Sequence, residues 1–325
     1  MQYRFEFRPY RRRFKHPLQT SHGIWEVREG IILSLSDKTG QTSWGEIAPL
    51  SWFGSETLEQ ALDFCRQLPI EITDKTIFSI PITLPACQFG FESAWEALSY
   101  DNDLGNCGNR QVAKGIGTVT YSTLAYSSLL PSGEAALHQW QILWKQGYRT
   151  FKLKIGVAPI QEELKVFHQL IQALPKSARL RLDANGGLDV ESASVWLQAC
   201  DPVCVEFLEQ PLPVEQFDAM LKLSTQYSTQ LALDESVASF KQLQAVYQQG
   251  WRGVFVIKPC IAGSPSRLRQ FCREHDIDAV FSSVFETAIG RHAALRLANE
   301  NNCHNRAVGF GISYWFDEED NEICC

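Results

Sequence analysis

Along the first hundred residues, apolar side chains recur at every second position and later at every third or fourth. Tyr3, Phe5 and Phe7 alternate with Arg4, Glu6 and Arg8, the period of a strand with one buried face. Residues 24–36 and 43–48 predict two further strands, and the arginine run at 11–13 predicts a solvated edge or turn. Residues 56–67 and 89–100 carry the helical period, the first with Ser55 as its expected cap. Together these elements predict a small α+β unit over 1–110, with the Gly- and Asn-bearing stretch 101–109 as its boundary.

From residue 115 the pattern changes. Short β-rich runs at 117–122, 151–155, 178–183, 203–208, 230–233, 253–258, 278–282 and 307–310 alternate with longer amphipathic stretches. Strand, helix, strand in regular repetition means parallel pairing through right-handed crossovers, and eight such units predict a closed (β/α)8 barrel over 111–310. The expected fold class is therefore α/β, a TIM-type barrel with an N-terminal α+β capping domain, onto which 311–325 is expected to pack back. No G-x-G-x-x-G follows the first run, which disfavours a dinucleotide-binding sheet.

Composition narrows the functions available. The chain has 325 residues and a formal net charge of −7, so no general basic surface exists to attract nucleic acid through counterion release. No run of about eighteen apolar residues occurs, and the start is charged where a signal peptide is apolar. A cytoplasmic enzyme acting on a small molecule is expected, without a membrane association or an obligate protein partner. The ten cysteines show no paired C-x-x-C spacing, so reduced thiols, several of them core filler, are expected.

The chemistry lies at the strand ends. Lys154, Asp183, Glu209, Asp234, Lys258 and the Ser282-Ser283 pair fall at the ends of six successive predicted strands, 24 to 29 residues apart. All strand C-termini of a barrel open onto one face, so this spacing gathers them around a single mouth. Three carboxylates brought together repel by roughly 4 kcal/mol per pair at 4 Å and an effective dielectric of about 20. They therefore take up protons or bind a cation. Oxygen donors without His or Cys favour Mg2+ over Zn2+, with Mn2+ as a substitute. Lys152 and Lys154 are two apart on a strand and share one face. Each ammonium, together with a nearby metal, disfavours the charged form of the other, and a neutral lysine is a competent general base. Lys258 is four strands from Lys154, opposite it in an eight-stranded ring, so a substrate between them meets an amine on each face.

These motifs, Lys152-Leu-Lys154, Arg181-Leu-Asp183-Ala-Asn185, Glu209-Gln-Pro211, Leu233-Asp234-Glu235-Ser236 and Ile257-Lys258-Pro259, resemble those of the enolase superfamily. The likeness is to its muconate-lactonizing subgroup, with lysines at barrel strands two and six. A lysine base beside Mg2+ is that superfamily's chemistry, taken from the resemblance and not from spacing. The resemblance implies catalytic Lys154 and Lys258, metal ligands Asp183, Glu209 and Asp234, and substrate contacts from Lys152, Arg181, Ser282 and Ser283. Three further segments, at 45–50, 89–93 and 282–287, are similar to the branch that dehydrates a succinylated hydroxycyclohexadiene carboxylate to an aromatic acid, a step of menaquinone and phylloquinone biosynthesis. Segments 16–24 and 49–55 are expected to be loops that close over the mouth. Three rivals stand beside this reading: an N-succinylamino acid racemase or related isomerase using the same site, a metal-free Schiff-base aldolase, and a barrel serving only as a scaffold.

Overall fold

The computed structural model describes residues 1–20, 23–104, 124–311 and 315–316. Its N-terminal part is a four-stranded antiparallel sheet of β1 (Gln2–Thr20), β2 (Gly23–Ser36), β3 (Thr42–Ile47) and β4 (Glu71–Thr73), in the order β3-β2-β1-β4. Against it pack α1 (Leu58–Gln67), the single turn α2 (Asp74–Phe78) and α3 (Pro85–Leu104). Tyr3 and Phe5 are buried and Arg4 and Glu6 exposed, as the alternation requires.

Three local expectations are corrected. The cap of α1 is Thr57, which forms a capping box with Gln60, whereas the Ser55 hydroxyl accepts from the Leu50 amide and closes the turn before it. A side chain two residues short of the N-cap cannot reach the free amides of the first turn. The described residues of segment 16–24 are strand rather than loop, because β1 and β2 stay paired out to Thr20 and Gly23 through an irregularity between Arg13 and Leu18. Within the arginine run, Arg12 is buried on the inner face of β1, with its guanidinium 3.7 Å from the centroid of Phe316. Period two therefore governs this run too, and only Arg11 and Arg13 face solvent.

The rest of the chain is a curled parallel sheet of β5 (Ser127–Leu130), β6 (Thr150–Lys154), β7 (Arg179–Asp183), β8 (Val205–Glu209), β9 (Leu231–Leu233), β10 (Val254–Ile257) and β11 (Ala279–Phe281), in sequence order. Its helices are α4 (Ala136–Lys145), α5 (Ile160–Ala173), α6 (Val190–Cys200), α7 (Phe217–Gln226), α8 (Phe240–Gln248), α9 (Pro259–Ala262), α10 (Pro265–His275) and α11 (Ala288–Asn301). Val308 bridges to Tyr126 and Gly309 to Ser282, both in parallel, so the segment 308–309 joins the two edges and closes the ring. The expected strand at 117–122 lies outside the described residues; the first described strand of the ring is β5.

Outward-facing residues of the strands join the main core, whereas Phe207, Ala232, Val254, Val256 and Val280 form a separate apolar cluster filling the barrel. Cys65, Cys87, Cys200, Cys260 and Cys272 are buried free thiols, and Cys204 and Cys303 are exposed ones. Cys107, Cys324 and Cys325 lie outside the described residues. Among the described residues no helix is long and apolar enough to cross a membrane.

Candidate active site

At the C-terminal ends of the barrel strands lies a cavity of about 940 Å3. It is lined by Lys152, Lys154, Arg181, Asp183, Glu209, Asp234, Lys258, Ser282 and Ser283, together with Asn185 and Glu235. Strand register explains the convergence. Lys154, Asp183 and Glu209 are direct neighbours across β6, β7 and β8, and residues two apart on a strand share a face. Asp234 and Lys258 each follow the last residue of their strand.

The charges are unevenly paired. Lys152 Nζ stands 2.7 Å from Asp183 Oδ2 and 2.8 Å from Glu209 Oε1, and Lys258 is ion-paired with Asp234. Lys258 also lies 4.0 Å from the ring centroid of Phe53, a cation–π contact supplied by the N-terminal part. Lys154 pairs with none of these acids among the described residues. Burial alone lowers the pKa of Lys152, but Asp183, Glu209 and Asp234 outweigh burial and hold it well above the ordinary lysine range.

The acids bear the opposite strain. Burial first, then Asp183 and Asp234, pushes Glu209 up to about 8, against the pull of Lys152 and Lys258. Asp234 is pushed up to about 6 by burial, with Lys258 opposing and Glu235 and Asp183 adding to the rise. Among the described residues nothing donates to the buried Glu235 Oε2. Among the described residues no three acidic, imidazole or thiol side chains already stand in a metal-ligating arrangement; ammonium groups lie against Asp183, Glu209 and Asp234 instead. The donor set of Asp183, Glu209 and Asp234 nevertheless fits a hard divalent cation, because it is all oxygen, largely desolvated, and stands beside Glu235, whose Oε2 has no donor among the described residues.

Two candidates sit differently from their expected roles. Arg181 lines the cavity, but its guanidinium is turned to the opposite end of the barrel interior. Its Nε is 2.7 Å from Glu206 Oε2, its guanidinium stacks over Phe207 at 4.9 Å, and its side chain is 2% exposed. Ser283 donates to Glu286 Oε2 at 2.8 Å and accepts from the Phe285 amide, so its hydroxyl is held within its own turn. Ser282 faces the cavity.

Other functional contributors carry weak sequence signals. Gln210, fully buried, accepts from the amides of Asp234 and Ser236 at 3.0 and 3.2 Å and donates to Ser236 Oγ, and so aims the acids after β9. Its backbone is left-handed, as is that of Asn185, whose amide reaches Glu235 Oε1. A glutamine between glutamate and proline advertises neither property. Trp25, Trp52, Phe53, Phe285 and Trp315 make an aromatic wall over the mouth. Of these, Trp52 and Phe53 come from the expected lid at 49–55, a short 3-10 turn (Ser51–Phe53).

Residues 135–322 match the family model of the enolase C-terminal domain-like fold, more than half of the chain. The chain belongs to the enolase superfamily. Residues 14–98 match a second model, the MenC N-terminal domain. Among members of the superfamily, the o-succinylbenzoate synthase of Thermosynechococcus vestitus is 40% identical over 320 residues, covering 96% of this chain and 93% of that protein. The crystal structure of o-succinylbenzoate synthase from Thermosynechococcus elongatus, complexed with Mg in its active site, superposes with a TM-score of 0.85 at 40% identity, covering 97% of this chain and 94% of that one. The muconate lactonizing enzyme of Pseudomonas putida, at 19% identity and a TM-score of 0.71 over 90% of this chain and 83% of its own, shares the fold.

Proposed function

We propose that the chain is an o-succinylbenzoate synthase, a carbon–oxygen lyase that removes water from 2-succinyl-6-hydroxy-2,4-cyclohexadiene-1-carboxylate. The observation that carries this reading is Lys154, an amine of the cavity that pairs with no acid among the described residues, set beside a desolvated group of acids in a closed barrel mouth. The 40% identity to a synthase over nearly the whole chain supports the choice of substrate.

Asp183, Glu209 and Asp234 would hold Mg2+, or Mn2+ with the same octahedral preference. Bound there, the ion supplies positive charge to the substrate carboxylate as its α-carbon loses a proton. Lys154 takes that proton. Lys258, fixed by Asp234 and the Phe53 ring, stabilises the enediolate from the opposite side. The electron pair then expels the 6-hydroxyl group as Lys154 returns the proton to it, so water leaves from the face on which the base stands and an aromatic ring remains. Lys152, pinned between Asp183 and Glu209, keeps its proton and orients the carboxylates. Ser282 is placed to donate to a substrate carboxylate. The aromatic wall excludes water while the reactive intermediate exists.

The product would enter menaquinone or phylloquinone synthesis. The test is the ultraviolet absorbance of the aromatic product, followed with and without Mg2+ on wild type and Lys154→Ala. Formation that requires the metal and the lysine is expected; undiminished turnover by the variant removes Lys154 from the mechanism. Deuterium uptake from D2O into an N-succinylamino acid, with no aromatic product, would replace the synthase with a racemase.

A further inference from the structure

The N-terminal part does more than cover the mouth. The fully buried Glu46, on β3, reaches across to the start of α11. Its carboxylate accepts from the Thr287 and Gly290 amides at 2.9 Å, and from the Thr287 hydroxyl and the Tyr10 phenol. These amides are among the free donors that every helix start presents, and an anion there is favoured by the helix dipole. The approach depends on a missing side chain. A Cβ on Gly290 would sit 2.8 Å from Glu46 Oε2.

Immediately before α11 runs the turn of Ser282, Ser283, Val284 and Phe285, all of which line the cavity. Ser283 and the Val284 amide donate to Glu286, and the Phe285 amide donates to Ser283, so the turn is one hydrogen-bonded unit. Phe285 adopts a left-handed backbone with φ 62°, strained for a bulky residue, and its ring meets Phe14 and Trp25 edge-on. Thr287 and Gly290 tie the unit to β3, beside the Arg12 donation to the Glu286 carbonyl at 3.4 Å and the Phe285 ring contacts with β1 and β2.

We infer that Glu46 is a positioning residue for the substrate: by capping α11 from the other sheet it sets where Ser282 and Phe285 stand on the cavity wall. The inference rests on the proposed activity for its kinetic readout. None of the proposed base, electrophile or metal ligands lies on this turn, so loss of Glu46 weakens ground-state and transition-state binding alike. Such a change raises KM and spares kcat.

A second joint in the same interface serves as control. Glu92 on α3 accepts from Ser264 Oγ at 2.6 Å and the Ser266 amide at 2.7 Å, capping α10 away from the cavity. In Glu46→Gln, one acceptor oxygen is replaced by a donor that faces amide hydrogens. This variant is expected to raise KM about tenfold, the scale of one mis-set contact, with kcat within about twofold. Its affinity for o-succinylbenzoate, measured by calorimetry on the Mg2+-loaded protein, falls by the same factor, and hydrogen exchange quickens at 283–290. Glu92→Gln loses thermal stability with KM and that exchange unchanged. If Glu46→Gln does not fold, Thr287→Val removes one of the bonds to Glu46 and shifts KM in the same direction by less. An unchanged KM in the folded Glu46 variant, or an equal rise in Glu92→Gln, overturns the inference. Wild-type protein without dehydratase turnover would defeat the proposed activity alone. Exchange at 283–290 then decides, faster in Glu46→Gln only if the inference is right and unaltered if it is wrong.

Discussion

The two ends of the barrel interior carry similar charge and use it in opposite ways. At the N-terminal ends of the strands, Arg306 binds Asp278 through two nitrogens, Glu206 Oε1 at 3.0 Å and Gln230 at 2.8 Å, while Arg181 takes the other oxygen of Glu206. Both guanidinium groups stack on Phe207. At the C-terminal ends the cations are lysines, of which Lys154 pairs with no acid among the described residues, beside four carboxylates, and among the described residues nothing donates to the buried Glu235 Oε2. Arginine is a planar, permanently charged fork suited to satisfying buried acids, whereas lysine is a movable point charge whose proton can be exchanged. Where the barrel needs only to stay closed its charges are matched. Where the proposed chemistry takes place they are left unmatched.

Lys154→Ala gives the sharpest break in this contrast. Loss of a general base removes roughly 10²- to 10⁴-fold in rate, and the deletion leaves no buried acid without its partner. Turnover should collapse while the denaturation midpoint and Mg2+ affinity hold, as followed by product absorbance, urea unfolding and calorimetry. The converse is Arg306→Met. It takes from Asp278 its guanidinium partner and leaves Glu206 to Arg181 and Arg179, and removing one member of a buried ion pair costs about 3–5 kcal/mol. Urea denaturation should show that loss, with kcat of the folded protein retained. Equal loss of activity and stability in both variants would erase the distinction between the two ends.

Smaller effects sharpen the comparison. Mg2+ at 100 times its Kd should stabilise the native protein by about 2.7 kcal/mol, seen as a higher Tm. The increment should vanish in Asp234→Asn and persist in Arg306→Met. Acid should act on the arginine end. Burial raises the pKa of Glu206, but Arg181 and Arg306 outweigh it and hold the carboxyl below its ordinary range. The stability this group contributes is fully present above its unfolded value and is lost as pH falls through the lower folded one. Unfolding free energy measured from pH 6 downward should therefore decline with a shallower slope in Arg306→Met than in wild type.

Both ends contain positions that a period-two reading places correctly and interprets unevenly. Lys152, Lys154, Asp183 and Glu209 announce themselves because charge at inward positions of apolar strands is costly unless used. Arg181 satisfies the same pattern, yet its charge is spent on Glu206, a residue that comes inward through the register shift between Leu180 and Arg181. Local sequence carries no mark of that shift. Glu46 is a single acid in a strand, and its meaning depends on a helix start 241 residues away.

Alternation of apolar and polar positions, a local property of the backbone period, determined the strands, the barrel repeat and the ring of lysines and acids on one face. Tertiary structure decided which of those charges are satisfied. Pairing in a low-dielectric interior turns on ångström distances between segments remote in the chain, set by register, ring closure and the seating of the N-terminal sheet on the barrel.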